Sequence, residues 1–172
     1  MTESNPHRMT RMRAEVMRRL AGKLAEAELR VATAESCTGG QLAALFAANE
    51  ALGPWLERGF IVYSADAKCE MLGLDRAVAE HEEGVNAPAA RAMAEQALAR
   101  SRADLAVAVT GFCGPRQADE EVGLLFVAAA DGHETCVEEH HVGDIGRTAV
   151  LDAAVDFALE LLDEAAAAAA AR

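Results

Sequence analysis

Between Met9 and Ala27 the apolar residues Met12, Val16, Leu20 and Leu24 recur four apart, with arginine and lysine filling the other faces. That period predicts an amphipathic helix. A short apolar run from Leu29 to Ala34 predicts a first strand, which feeds a turn of small residues at Ser36. Thr38 to Asn49 predicts a helix with Leu42, Leu45 and Phe46 on one face, ended by Gly53-Pro54. Gly59 to Ser64 predicts a second strand. Ser64 then caps a helix that Gly73 closes. Asn86 is a good cap for a further helix, with Pro88 in its first turn and its end near Arg100. Asp104 to Thr110 is a near-continuous apolar run, the pattern of a central strand buried on both faces. Val122 to Ala129 and Glu134 to Val142 flank the turn Asp131-Gly132 and predict an antiparallel hairpin. A last helix is expected from about Ile145 to Asp163, which the seven alanines 165–171 extend or fray.

Early alternation of strand and helix implies crossovers and parallel pairing, and the late hairpin adds antiparallel pairing. The expected fold is a three-layer α/β/α sandwich with a mixed sheet of about five strands. Residues 1–8 are expected to be a tail, 9–164 a single domain, and 165–172 an alanine-rich tail. The 172 residues suit one domain with a sizeable core.

Composition changes that picture in three ways. Hydrophobic residues are 52% and aromatic ones 4%, so the core must be aliphatic and rich in alanine. A net charge of −12 argues against nucleic acid and against an anionic membrane surface as partners. No run approaches 18 strongly apolar residues and no apolar segment follows the N-terminal arginines, so neither a transmembrane helix nor a signal peptide is expected, and the expected location is cytoplasmic. The cysteines Cys37, Cys69, Cys113 and Cys136 are scattered, which speaks against a zinc site or a disulfide framework.

In open α/β sheets ligands collect at the carboxyl ends of the strands. Three stretches end strands here: Glu35 to Gly40, Tyr63 to Lys68, and Thr110 to Pro115. Parallel strands would bring all three to one edge. Ser36 stands where a helix N-cap would fall, beside backbone N–H groups that can cap, bind an anion or stabilise an oxyanion. Lys68 falls one turn into the next helix. A serine paired with a lysine is a nucleophile arrangement, provided the lysine is driven neutral by burial or a positive field. Against these stand plainer roles: an N-cap for Ser36, a solvated helix lysine for Lys68, a strand-edge residue for Tyr63, and a hydroxyl bonded to backbone for Thr110. A cysteine hydrolase built on Cys37 or Cys113 would need a histidine base, and His81, His133, His140 and His141 all lie outside the strand-end stretches. His140 and His141 point to opposite faces of a strand and make a poor metal pair. No Gly-Lys-Ser/Thr follows the glycines, so a phosphate-binding P-loop is excluded.

Glu35-Ser36-Cys37-Thr38-Gly39-Gly40, Tyr63-Ser64 with Lys68, Met93-Ala94-Glu95, and Val109-Thr110-Gly111 with Gly114-Pro115 together resemble the CinA C-terminal domain family. The resemblance covers roughly residues 10–163. Members of that family include nicotinamide-nucleotide amidohydrolases, which convert nicotinamide mononucleotide and water to nicotinic acid mononucleotide and ammonia. In longer relatives the domain follows a molybdopterin-binding-like domain. Carried over residue by residue, the resemblance implies Ser36 as nucleophile, Lys68 as general base and Tyr63 within their hydrogen-bond network. It implies an oxyanion site in the backbone near Thr38, Gly39 and Gly40, and a nucleotide pocket lined by Thr110 and Gly111. Arg147 is the candidate for the phosphate, since a guanidinium suits bidentate contact. No metal and no cofactor are implied; the partner is a small-molecule nucleotide substrate, and a homo-oligomer is expected.

The chain departs from the family pattern on the substrate side. After Gly114-Pro115 the family has a glycine run and then Lys-Pro before Val-Gly, whereas here stands Arg116-Gln117-Ala118-Asp119-Glu120-Glu121. The family's Gly-Asp-Arg is here Gly143-Asp144-Ile145-Gly146-Arg147, and aligning Arg147 with the family's further arginine needs a small deletion. The alternative function is therefore a substrate-altered or catalytically silent member that binds a nucleotide or a partner.

Overall fold

The computed structural model describes residues 6–117 and 119–172. Its helices are α1 (Pro6–Ala27), α2 (Gln41–Ala48), α3 (Ala65–Leu72), α4 (Arg76–Glu80), α5 (Ala87–Ala99) and α6 (Arg147–Ala170). Its strands are β1 (Val31–Glu35), β2 (Leu56–Ile61), β3 (Leu105–Gly111), β4 (Leu124–Ala130) and β5 (Thr135–His141). They form one mixed sheet in the order β2-β1-β3-β4-β5. β1 pairs in parallel with both β2 and β3, while β3–β4 and β4–β5 are antiparallel.

The two faces of the sheet differ in residue size, and the helices follow. Val31, Leu105, Val107, Val109, Leu125 and Val127 face α1, α2 and α6, meeting Leu20, Leu24, Phe46, Leu159 and Leu162. Ala32, Ala34, Ala106, Ala108 and Ala128 face α5, which replies with Ala90, Met93, Ala94 and Ala97. Small side chains on both partners let that helix sit close to the sheet, and this is where the alanine-rich composition is used. The outer pair of helices is also tied by charge. Asp163, buried on α6, accepts from Lys23 Nζ at 2.7 Å and from Arg19 at 3.1 Å, while Arg13 pairs with Asp152 and Asp156.

Four details differ from the sequence expectation. β2 begins at Leu56 rather than Gly59, because the charged Glu57 and Arg58 lie on an exposed edge strand where alternation is weak. The same strand ends at Ile61, which leaves Tyr63 in the connection to α3. Helix α6 continues past the expected boundary at 164 to Ala170, with Ala166 packed in the core. Helix α2 starts at Gln41, and Ser36 does not cap it.

Candidate active site

The parallel trio β2-β1-β3 delivers three strand ends to one edge. They enclose a cavity of about 180 Å³. Ser36 and Cys37 come from the end of β1, Tyr63 from the end of β2, and Gly111 to Pro115 from the end of β3; Glu83, Glu120 and Arg147 reach in from other segments.

Glu35 organises the first of these ends. Its carboxylate is fully buried and accepts from Thr38 Oγ1 at 2.7 Å, Thr33 Oγ1 at 3.2 Å, and the amides of Gly40, Leu42 and Ala43 at 3.1, 3.0 and 2.8 Å. Those amides are the open donors of the α2 N-terminus, so the helix carries its anion within the chain. The arrangement needs the chain to fold back sharply. Gly39 (φ +58°) and Gly40 (φ +100°) supply left-handed turns, and a Cβ on Gly40 would stand 2.9 Å from Ile61 Cδ1. Thr38 is buried and spends its hydroxyl on Glu35.

Relieved of capping, Ser36 faces the cavity with 7% of its surface exposed, and its Oγ has no hydrogen-bond partner among the described residues. The backbone donors around it are unequally free. Gly39 N–H donates to Ser36 O and Gln41 N–H to Thr38 O, each at 3.1 Å, while Gly40 N–H goes to Glu35. The amides of Cys37 and Thr38 donate to no oxygen among the described residues. The open donors beside Ser36 are thus one or two residues earlier than the glycines.

Lys68 is 1% exposed on α3. Desolvation pushes its ammonium below the ordinary lysine value, opposed by the acidic groups Cys37, Cys69 and Glu83 nearby. Its Nζ donates to Glu83 O at 3.5 Å. That carbonyl belongs to a tight turn in which Glu82, Glu83 and Gly84 all have positive φ, of 48°, 56° and 73°. Two consecutive left-handed glutamates are strained, and such strain gathers at functional sites. Thr110 Oγ1 donates to Gly84 O at 2.9 Å, so the buried Thr110 holds this turn from behind, while Gly111 lines the cavity.

Tyr63 is 61% exposed at the rim. Its hydroxyl lies against the Arg147 guanidinium, which it holds more firmly protonated; Arg147 also donates to the Gly114 carbonyl. Arg147 begins α6 and is the one cation among the described residues lining the cavity. The structure therefore brings Ser36, Tyr63, Gly111 and Arg147 to one cavity, sets Lys68 behind it, and gives Thr38, Gly40 and Thr110 supporting hydrogen bonds. Gly39 shapes the turn.

Three features of the site are not evident from the sequence. Glu35 stands there only within a motif; its signal is a glutamate closing an otherwise apolar strand. The Glu82-Glu83-Gly84 turn carries no motif or periodic signal in the sequence. Cys37 and Cys113 each follow the end of one of two neighbouring strands and both line the cavity, where their mutual proximity, with burial, pushes Cys37 well up, while Cys113 is pushed down beside Cys37 and Arg147.

A three-layer domain with a serine turn and a buried lysine at the carboxyl edge of parallel strands defines the class. The chain belongs to the CinA C-terminal domain family, whose profile matches residues 13–166. It is 36% identical over 134 residues to the nicotinamide-nucleotide amidohydrolase PncC of Escherichia coli K12, covering 77% of this chain and 81% of that protein. It is 38% identical over 124 residues to a CinA-like protein of Syntrophus aciditrophicus, but spans only 30% of that protein's length, and 25% of a CinA-like protein of Chlorobium limicola. The crystal structure of the competence/damage inducible protein CihA from Agrobacterium tumefaciens superposes with a TM-score of 0.83 at 39% identity, covering 88% of this chain and 93% of that one. No helix among the described residues is long and apolar enough to cross a membrane.

Proposed function

We propose that this chain hydrolyses the carboxamide of nicotinamide mononucleotide to give nicotinic acid mononucleotide and ammonia, with Ser36 as nucleophile and Lys68 as general base. The observation that carries the reading is the unpartnered Ser36 Oγ in the cavity together with a lysine that burial drives towards its neutral form. The similarity to an amidohydrolase over most of both chains supports the substrate class.

In this reading Ser36 Oγ passes its proton to neutral Lys68 Nζ as it bonds to the amide carbon. The amides of Cys37 and Thr38 hold the resulting oxyanion. Lys68 returns the proton to the amide nitrogen, the C–N bond breaks and ammonia leaves. Water then attacks the ester by the same sequence, with Lys68 again taking the proton. Arg147, held towards the cavity by Tyr63 and Gly114, binds the phosphate. The carboxylates of Glu83 and Glu120 in the cavity wall suit the positive pyridinium ring.

Ammonia release from nicotinamide mononucleotide, nicotinamide riboside and nicotinamide tests this. The mononucleotide is expected to turn over, and the riboside, which lacks the phosphate, at least tenfold less efficiently in kcat/KM. Absence of ammonia from all three with folded protein would overturn the hydrolytic reading. Equal turnover of nucleotide and riboside would remove Arg147 from the phosphate.

A further inference from the structure

Cys37 and Cys113 play no part in the reaction above, yet they occupy its centre. Cys37 is the second residue beyond β1 and Cys113 the second beyond β3. Those strands are parallel neighbours, and the ladder holds them together up to Ser36 N–H, which donates to Val109 O at 3.0 Å. Both side chains line the cavity, Cys113 buried in the core cluster beneath it and Cys37 half-buried against the same cluster. The cation beside them is Arg147. The other two cysteines are elsewhere: Cys69 on α3 and Cys136 exposed on β5.

We propose that Cys37 and Cys113 form a peroxide-oxidisable dithiol whose disulfide closes the Ser36 cavity. Cys113 reacts first, because it shares the cavity wall with Arg147, the cation that favours its thiolate. The thiolate attacks one oxygen of hydrogen peroxide, the O–O bond breaks, and the departing hydroxide takes a proton to become water. Cys113 is left as a sulfenic acid. The Cys37 sulfur then attacks the Cys113 sulfur, the S–O bond breaks, and the leaving hydroxide takes the Cys37 proton as a second water. In sum two thiols and one hydrogen peroxide give one disulfide and two waters, the two electrons passing from sulfur to peroxide. The new bond pins the residue after Ser36 to the loop that also carries the Gly114 contact of Arg147. It removes room at the floor of the cavity and freedom from the oxyanion turn, so turnover stops until a dithiol reductant reopens it.

The test uses the full chain carrying Cys69→Ser and Cys136→Ser, so that only the two thiols in question remain. The protein is treated with hydrogen peroxide, denatured, alkylated and mapped without reduction. The expected result is loss of both alkylatable thiols, a peptide joining Cys37 to Cys113, and full reversal by dithiothreitol. Closing so long a loop is expected to raise Tm by roughly 5–10 °C. Adding Cys113→Ala or, separately, Cys37→Ser should abolish the joined peptide and the Tm shift. Both thiols remaining alkylatable after peroxide, or Cys113 passing to sulfinic acid with no joined peptide, would overturn the proposal. Only the activity arm rests on the amidohydrolase reading: there, oxidation is expected to lower ammonia release at least tenfold, reversibly. Mapping and melting need no substrate, so an inactive reduced protein would count against the amidohydrolase and not against the dithiol.

Discussion

Replacing Glu35 by glutamine keeps the side chain's shape but turns one of its oxygens into an NH2 group facing donors. Five hydrogen bonds converge on that carboxylate, three from the α2 amides. At least one of those bonds is lost, leaving a buried donor unsatisfied. Glu35→Gln is therefore expected to destabilise by about 2–3 kcal/mol, read as a lower urea midpoint at unchanged slope. Because the same bonds set the turn that presents Ser36, kcat should fall more than KM rises. The sequence made Ser36 and Lys68 legible as a possible pair, since both fall just past strand ends. It could not reveal Glu35's role, because a buried glutamate has no periodic signature and its partners lie on both sides of a glycine reversal. The same reversal is why Ser36 looked like a cap: its position before a helix was right, but the backbone amides had already been taken by its neighbour.

At the scale of elements, apolar periodicity foretold α1, and the caps Ser64 and Asn86 foretold α3 and α5; both caps accept the expected amide bonds. Edge strand β2 was harder, since Glu57 and Arg58 interrupt the apolar pattern that the inner strands keep. The docking of α1 on α6 depends on a feature no pattern in either helix displays alone: Asp163 meets Lys23 and Arg19 some 140 residues away, at separations of 140 and 144 in sequence. Asp163→Ala leaves two cations without their buried acceptor. The expected cost is about 1–2 kcal/mol, tempered by the partial exposure of both cations, and a Tm lower by roughly 3–6 °C in a calorimetric scan. Ammonia release per folded molecule should be unchanged, because the pair lies on the helices packed outside the sheet and away from the cavity.

For the whole molecule, alternation of strand and helix followed by a hairpin specified the layered mixed sheet, while the order of the strands came only with the structure. The consequence that spans the molecule is the energetic cost of Lys68. Its folded-state pKa lies below the ordinary 10.5 because burial disfavours the ammonium. Below the folded-state pKa both folded and unfolded chains hold the proton, and the full penalty is present. Between that pKa and 10.5 the unfolded chain binds more protons, so stability rises with pH, and above 10.5 the penalty is gone. Lys68→Met fills the same space without charge. It is expected to melt higher than wild type at pH 7 while losing turnover, with the gap in stability narrowing as pH approaches 10.5. A variant that melts lower at pH 7 would mean that the ammonium is held by more than the Glu83 carbonyl.

The central claim is that Ser36 attacks a nucleotide carboxamide. Ammonia release from nicotinamide mononucleotide by wild type and Ser36→Ala, measured side by side on protein of equal thermal stability, tests it most directly. Steady release is expected from wild type, with a loss of at least about 10³-fold in kcat for the variant, the scale on which removing a nucleophile acts. Release by Ser36→Ala at a rate comparable to wild type would contradict it and place the nucleophile elsewhere in the cavity.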